Sequence, residues 1–244
     1  MNDSFAPNPE GPVLVIGAAG VDVVGRLRGE LQSGASIPAS IRNSYGGVAR
    51  NFAENLARLG HAVTLMTVVG EDLTGEHLLE QLSSTGVDTQ AVLRSPAFPT
   101  ASYMGLLSLH SELKYAVDDM RIMSQLSSDY LHQHADLFKQ ASAVFLDANL
   151  SKKALRTAIS LASRAKIPIC ADPAAAGLAE RLRPFLTRFD IITPNSAEAS
   201  VLSGMQINPS NRQMALAAAK SFVGLGIKIA TISMAQFGVC YATS

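Results

Sequence analysis

The sequence predicts an α/β fold in three layers, with a mainly parallel central sheet and a small antiparallel β lid projecting from it. Three observations predict it. Short apolar runs rich in β-branched residues alternate with longer amphipathic segments, the runs end in polar turns, and two stretches break the rhythm with strand-like alternation.

The strand-sized runs are Val13–Ile16, Ala62–Val69, Ala143–Leu146, Ile167–Cys170, Asp190–Ile192 and Ile227–Ile232. Between them, Phe52, Leu56 and Leu59 recur at helical spacing before Gly60, a glycine placed to close a helix. A second helix is predicted over Leu73–Ser84, closing at Gly86, and a third over Ser127–Gln140. Ser151 is a fitting N-cap for a helix over Lys152–Lys166, Ser196 for one through Leu202, and Ser210 for the Ala-rich helix ending near Gly224. The lid is read from residues 23–45, which hold Gly, Ser and Pro with weak helical period, and from residues 100–118, which alternate around His110, Ser111 and Glu112 like a hairpin. The first eleven residues, polar and Pro-interrupted, read as a disordered tail rather than a signal peptide, and residues 12–244 as one domain.

Composition narrows the function. Twenty basic and twenty acidic residues cancel with no basic run, so bulk charge gives no case for nucleic acid or anionic lipid, and a small-molecule partner is expected. Every apolar run falls short of the roughly 20 residues that span a bilayer, so a cytoplasmic protein is expected. Cys170 and Cys240 each lie in an apolar stretch and read as buried free thiols.

Ligands of open parallel sheets bind beyond the carboxyl ends of the strands. Here those ends carry Gly17 to Asp22, Asp147 to Asn149, Asp172-Pro173, Thr193 to Asn195, and Ser233. Each alone is a turn residue or a helix cap. Five at one sheet edge predict a cleft. Gly46-Gly47 opens a helix with Asn51 one turn in, which is either a tight entry turn or a seat for polyol hydroxyls. The sequence has neither a P-loop nor a Gly-x-Gly-x-x-Gly fingerprint, and no Gly-x-Ser-x-Gly elbow. His132 and His134, two apart on a helix, do not face one way and make no metal pair. Asp118 and Asp119 either close the lid hairpin or reach a substrate.

In this order the segments resemble the ribokinase-like (PfkB) family of carbohydrate kinases. The likeness rests on Asp22 after the first strand, Gly46-Gly47-x-x-x-Asn51 continuing to Gly60, Val69-Gly70-Glu-Asp72-Leu-Thr-Gly75, Gly86-Val-Asp88, and Thr193-Pro-Asn195-Ser-Ala-Glu198. Gly47-Val-Ala-Arg50-Asn51, Asp118-Asp-Met120 and Asp147-Ala-Asn149-Leu-Ser151 look most like the members that phosphorylate the 5′-hydroxyl of pseudouridine. The resemblance implies a ribokinase-like sheet and ATP-dependent phosphorylation of a sugar or nucleoside, with ATP and Mg²⁺ as cofactors. It implies that Asp22, Gly46, Gly47 and Asn51 seat the sugar, with Arg50 beside the base and Asp118 and Asn149 near the substrate. Asn195 and Glu198 would organise Mg²⁺ and its waters, although Glu198 equally suits a helix first turn, where an acid complements the dipole. Ser233, Ala235 and Gly238 fall where the nucleotide approaches, with Ala235 standing where the family usually has glycine. The family's Gly-Ala-Gly-Asp segment, which supplies the general base, is expected beyond Ser244. The C-terminal part of the fold is then missing and this chain alone is inactive, a kinase in ancestry or a non-catalytic binding remnant. A homodimer through the lid is a further implication. A nicotinamide enzyme is the third reading, against which the missing dinucleotide fingerprint stands.

Overall fold

A computed structural model describes residues 10–244, so Met1 to Pro9 of the expected tail lie outside the described residues. The chain begins with β1 (Val13–Ile16), β2 (Gly20–Leu27), β3 (Ala39–Gly46) and helix α1 (Val48–Arg58). There follow β4 (Val63–Met66), β5 (Val68–Gly70), α2 (Leu73–Ser84), β6 (Val87–Asp88), β7 (Leu93–Ser95), β8 (Ala101–Leu107) and β9 (Leu113–Asp119). Next are α3 (Ser128–Gln133), α4 (Ala135–Gln140), β10 (Ala143–Asp147), α5 (Lys152–Ala165), β11 (Ile169–Asp172) and the short α6 (Ala176–Ala179). The chain closes with β12 (Ile191–Ile192), α7 (Ser196–Ser203), α8 (Arg212–Gly224), β13 (Ile229–Ser233) and β14 (Val239–Thr243).

Eight strands form the main sheet in the order β14-β13-β12-β11-β10-β1-β4-β6, parallel throughout except for the antiparallel β13–β14 pair. A parallel strand covered on both faces must be apolar on both, and β1 shows this. Leu14 and Ile16 pack with Val144, Leu146 and the α5 residues Leu155 and Ile159, whereas Val15 packs with Leu65, Phe145, Ala49, Ala53, Leu78 and Leu82. On the second face Phe52 of α1 stacks on Phe145, ring centroids 3.8 Å apart.

The second sheet runs β3-β2-β8-β9. Its outer pairs are antiparallel, while β2 and β8 run parallel at its centre. The two stretches that break the sequence rhythm are therefore one sheet, joined by a parallel pair that no hairpin signal reveals.

Local departures from the sequence reading have physical causes. The apolar run Ala62–Val69 divides at buried Thr67, after which β5 leaves the main sheet to pair with β7. The helix expected over Ser127–Gln140 breaks at His134, whose backbone NH and ring Nδ1 both lie within hydrogen-bonding distance of the Tyr130 carbonyl. Helices α7 and α8 are capped by Asn195 and Asn211, one residue before the serine expected for α7 and one after the serine expected for α8. Ser196 instead donates to the Ser233 carbonyl, and Ser210 donates to Asn208 Oδ1. Cys170 and Cys240 are free thiols of intermediate exposure rather than fully buried. Among the described residues no helix is long and apolar enough to cross a membrane.

Candidate functional site

Because the strands from β4 to β13 run parallel, their carboxyl ends share one edge, and the second sheet stands over it. Between them lies a cleft of about 1070 Å³ lined by Asp22, Gly47, Asn51, Asp118 and Asn149, five of the seven residues expected near a substrate. The register explains how residues so far apart meet. Asp22 pairs with Tyr103 across β2–β8, and Tyr103 with Asp118 across β8–β9, so the three side chains stand in a row on one face of the second sheet. All three line the cleft.

Gly46 supports this row. A Cβ there would lie 2.2 Å from Asp22 Oδ2, so the Asp22 carboxyl rests directly against the glycine. Gly47 takes φ +96°, and a Cβ on it would lie 2.4 Å from the Ala18 carbonyl oxygen. Only glycine lets the chain turn there and bring the start of α1 against the β1–β2 turn.

Asp147, at the end of β10, locks that contact. It is completely buried. Its Oδ2 accepts from the amides of Ala18 at 2.7 Å and Ala49 at 3.3 Å, and its Oδ1 from Asn149 at 2.8 Å. Arg50 NH in turn donates to the Ala18 carbonyl at 3.1 Å. One carboxylate thus ties together the β1–β2 turn, the first turn of α1 and the β10–α5 loop. Burial pushes Asp147 up to about 6, and the nearby Asp172 charge adds to the rise against the amide hydrogen bonds. Burial likewise raises Asp22, opposed by the positive charge of Arg50.

Arg50 is nearly buried and is not among the residues lining the cleft; its guanidinium is held by Gln81, Glu54, Asn51 and the Tyr45 carbonyl. The lining also holds residues given no role from sequence, among them Arg121, Met123, Lys152, Ala174 and Arg181, together with Met120 of the Asp118-Asp-Met120 segment. Arg181 Nη1 bonds the carbonyls of Ala148, Asn149 and Leu150, fixing the loop that carries Asn149. Lys152 opens α5 behind its Ser151 cap and is in no salt bridge with a carboxylate among the described residues. No local signal marks Arg181, whereas Lys152 beside a capping serine at a strand end was legible and overlooked.

Farther along the same edge the structure gathers Asn195, Glu198 and Ser233. Asn195 Oδ1 accepts from the amides of Ala197 and Glu198, and Glu198 Oε2 accepts from Asn195 NH at 2.8 Å, a reciprocal capping box. Asn195 and Ser233 form an isolated parallel bridge. Ala235 and Gly238 lie on the following turn, outside the cleft lining, Ala235 in the left-handed region at φ 49° and Gly238 at φ 93°.

Burial raises both Asp172 and Glu198, and the Asp172 charge adds to the rise at Glu198. A cation beside them would relieve that cost. Among the described residues no three His, Cys, Asp or Glu side chains are placed to hold an ion.

The chain is 35% identical to the pseudouridine kinase of Escherichia coli over 94% of its own length and 72% of that protein. It superposes on a carbohydrate kinase from Agrobacterium tumefaciens at 26% identity with a TM-score of 0.78, covering 91% of this chain and 70% of that one. The Arabidopsis thaliana ribokinase complexed with ribose and ATP shares the fold at 20% identity and a TM-score of 0.80, over 96% and 75% of the two chains. The sequence model of the pfkB family carbohydrate kinases matches residues 12–244, and the chain belongs to that family.

Proposed function

We propose that this chain binds the sugar of a nucleoside in the cleft between its two sheets as part of an ATP-dependent kinase, with the 5′-hydroxyl of pseudouridine as acceptor. The observation that carries the reading is the row Asp22, Tyr103 and Asp118 facing Asn51 and Asn149 across one cleft. Carboxylates accept hydroxyl protons, amides give and receive, and an aromatic ring covers an apolar face, which together suit a polyol bearing a flat base. The likeness to pseudouridine kinase supports the choice of base.

In this reading Asp22, Gly46, Gly47 and Asn51 hold the sugar, and Asp118 and Asn149 reach toward the rest of the nucleoside. The cleft exceeds what a nucleoside alone fills, and Lys152, in no salt bridge among the described residues, gives it positive charge for phosphates, whereas the charge of Arg121 is matched by Asp119. ATP with Mg²⁺ supplies an activated, charge-neutralised phosphoryl group when bound. Asn195 and Glu198 lie on the flank where Mg²⁺ waters would be organised, and Ser233, Ala235 and Gly238 border the nucleotide. The second sheet acts as the lid that keeps water from the acceptor. Its outer face exposes Ile41, Met104, Tyr115 and Val117, and a second copy of the chain covers it in the same reading.

The test is calorimetric titration with pseudouridine, uridine and ribose, paired with a phosphoryl-transfer assay using MgATP. Micromolar binding with preference for pseudouridine supports the proposal. Binding without transfer keeps the ligand half and is the result expected of a chain whose general base lies beyond Ser244, whereas transfer by this chain overturns that expectation; no binding of any of the three ends the proposal.

A further inference from the structure

A nearly buried arginine behind a ligand wall needs a reason, since burial of its charge is costly unless every donor is used. Arg50 is 7% exposed. Nη2 donates to Gln81 Oε1 at 2.6 Å and pairs with Glu54, while Nη1 donates to Asn51 Oδ1 at 2.8 Å and to the Tyr45 carbonyl at 3.4 Å. The Tyr45 ring lies 5.9 Å from the guanidinium carbon. Nε is buried without a partner among the described residues. Glu54 is itself braced by Arg58 and by Gln81 Nε2 at 2.9 Å, and of the partners that hold the guanidinium only Asn51 lines the cleft.

An arginine has donors only. The atom of Asn51 that meets it must therefore be the carbonyl oxygen, which leaves the amide nitrogen as the end of Asn51 free to serve the cleft that Asn51 lines. Asp22, also lining the cleft, presents a carboxylate as acceptor. The seat then offers one fixed donor and one fixed acceptor. Each hydroxyl of a vicinal diol has one proton to give and lone pairs to receive, so two adjacent hydroxyls match that pair, and a deoxy position leaves one seat group without its partner.

We propose that Arg50 is a positioning residue that makes the seat selective for a ribose-type vicinal diol over its deoxy counterpart, by fixing which end of Asn51 faces the ligand. This rests on the nucleoside reading above. Arg50 acts through Asn51 and touches no ligand itself.

The experiment compares calorimetric affinities of the full chain for pseudouridine and 2′-deoxypseudouridine in the wild type, Arg50→Met, Arg50→Lys and Gln81→Met. In the wild type the ribo form binds about ten- to a hundredfold more tightly, the scale of one hydrogen bond to a charged or fixed partner. Arg50→Met brings the two affinities within about threefold by losing ribo affinity alone, because the methionine imposes no direction on the Asn51 amide. Arg50→Lys, which keeps the charge without the rigid fork, lies between. Gln81→Met loosens the guanidinium from behind without touching the cleft, lowers the preference several-fold, and decides the matter if Arg50→Met does not fold. Undiminished preference in the folded variants overturns the role of Arg50, and so does an equal loss of affinity for both ligands, which marks a merely structural residue. A wild type that binds neither probe defeats the nucleoside reading first, a result distinguishable from either of these.

Discussion

Gly46 and Asp22 are fitted to one another across the β2–β3 ladder, with the place of a Gly46 methyl group lying 2.2 Å from Asp22 Oδ2. The backbone at Gly46 is outside the left-handed region, so alanine meets no conformational barrier there. Gly46→Ala is therefore expected to keep the fold and displace the carboxylate. Nucleoside affinity should fall by about tenfold or more, the scale of a lost charged hydrogen bond, while the unfolding midpoint moves little. Calorimetry and thermal denaturation on one preparation check both halves.

Asp147 makes stability depend on pH in a direction opposite to an ordinary paired carboxylate. Its folded value, about 6, lies above its ordinary 3.8, so the folded chain holds the proton more tightly than the unfolded one. Its stabilising contribution is full below about pH 4 and is lost as pH rises through 6, by roughly 3 kcal/mol. Asp147→Asn removes that titration. The stability difference between wild type and variant, from urea unfolding at pH 4 and pH 6.5, should shrink by that order as pH rises; a difference that grows instead refutes the assignment.

Glu198 can be separated into its two suggested roles. Asn195→Ala removes the α7 cap and should cost about 1 kcal/mol. Glu198→Gln keeps an oxygen for the Asn195 amide, so stability without Mg²⁺ should hold nearly constant, while the stabilisation that MgCl₂ gives the wild type with ATP is lost. An unchanged Mg²⁺ response in Glu198→Gln leaves it a helix cap alone.

Ala235 occupies φ 49°, where an L-residue is disfavoured. Ala235→Gly removes that strain at the expense of a freer unfolded chain, for a net gain of up to about 1 kcal/mol. Urea unfolding of the two proteins measures it, and a loss of stability contradicts the strain.

Where the sequence was legible, a local signal coincided with a tertiary one. Helix α2 runs over Leu73–Ser84 as read, because Asp72 caps it through the Gly75 amide and Gly86 closes it. The edge of polar strand ends was legible because parallel strands put all their carboxyl ends together. The Asn195 cap was misread by one residue, since Ser196 satisfies the same local preference and only the Ser233 carbonyl, far along the chain, draws its hydroxyl away. The orientation of Arg50 was hidden for a related reason: its i,i+4 partner Glu54 lies on the same helix, but Gln81, on α2, meets it only in the folded chain, and sequence spacing says nothing of that approach.

The central β2–β8 pair of the second sheet sets Gly20 against Ala101. Parallel neighbours so distant along the chain cannot zip up from a turn, so this ladder must wait for β1, α1, β4 and α2 to bring its two halves together. The wall that carries Asp22 and Asp118 thus depends on the main sheet for its central pairing, and amide exchange in β2 and β8 is expected to outpace that in β1 and β10. An apo chain would spend part of its time with an intact body and a loosened wall, and a ligand that ties Asp22 to Asn51 would gain its affinity partly by closing that gap in order.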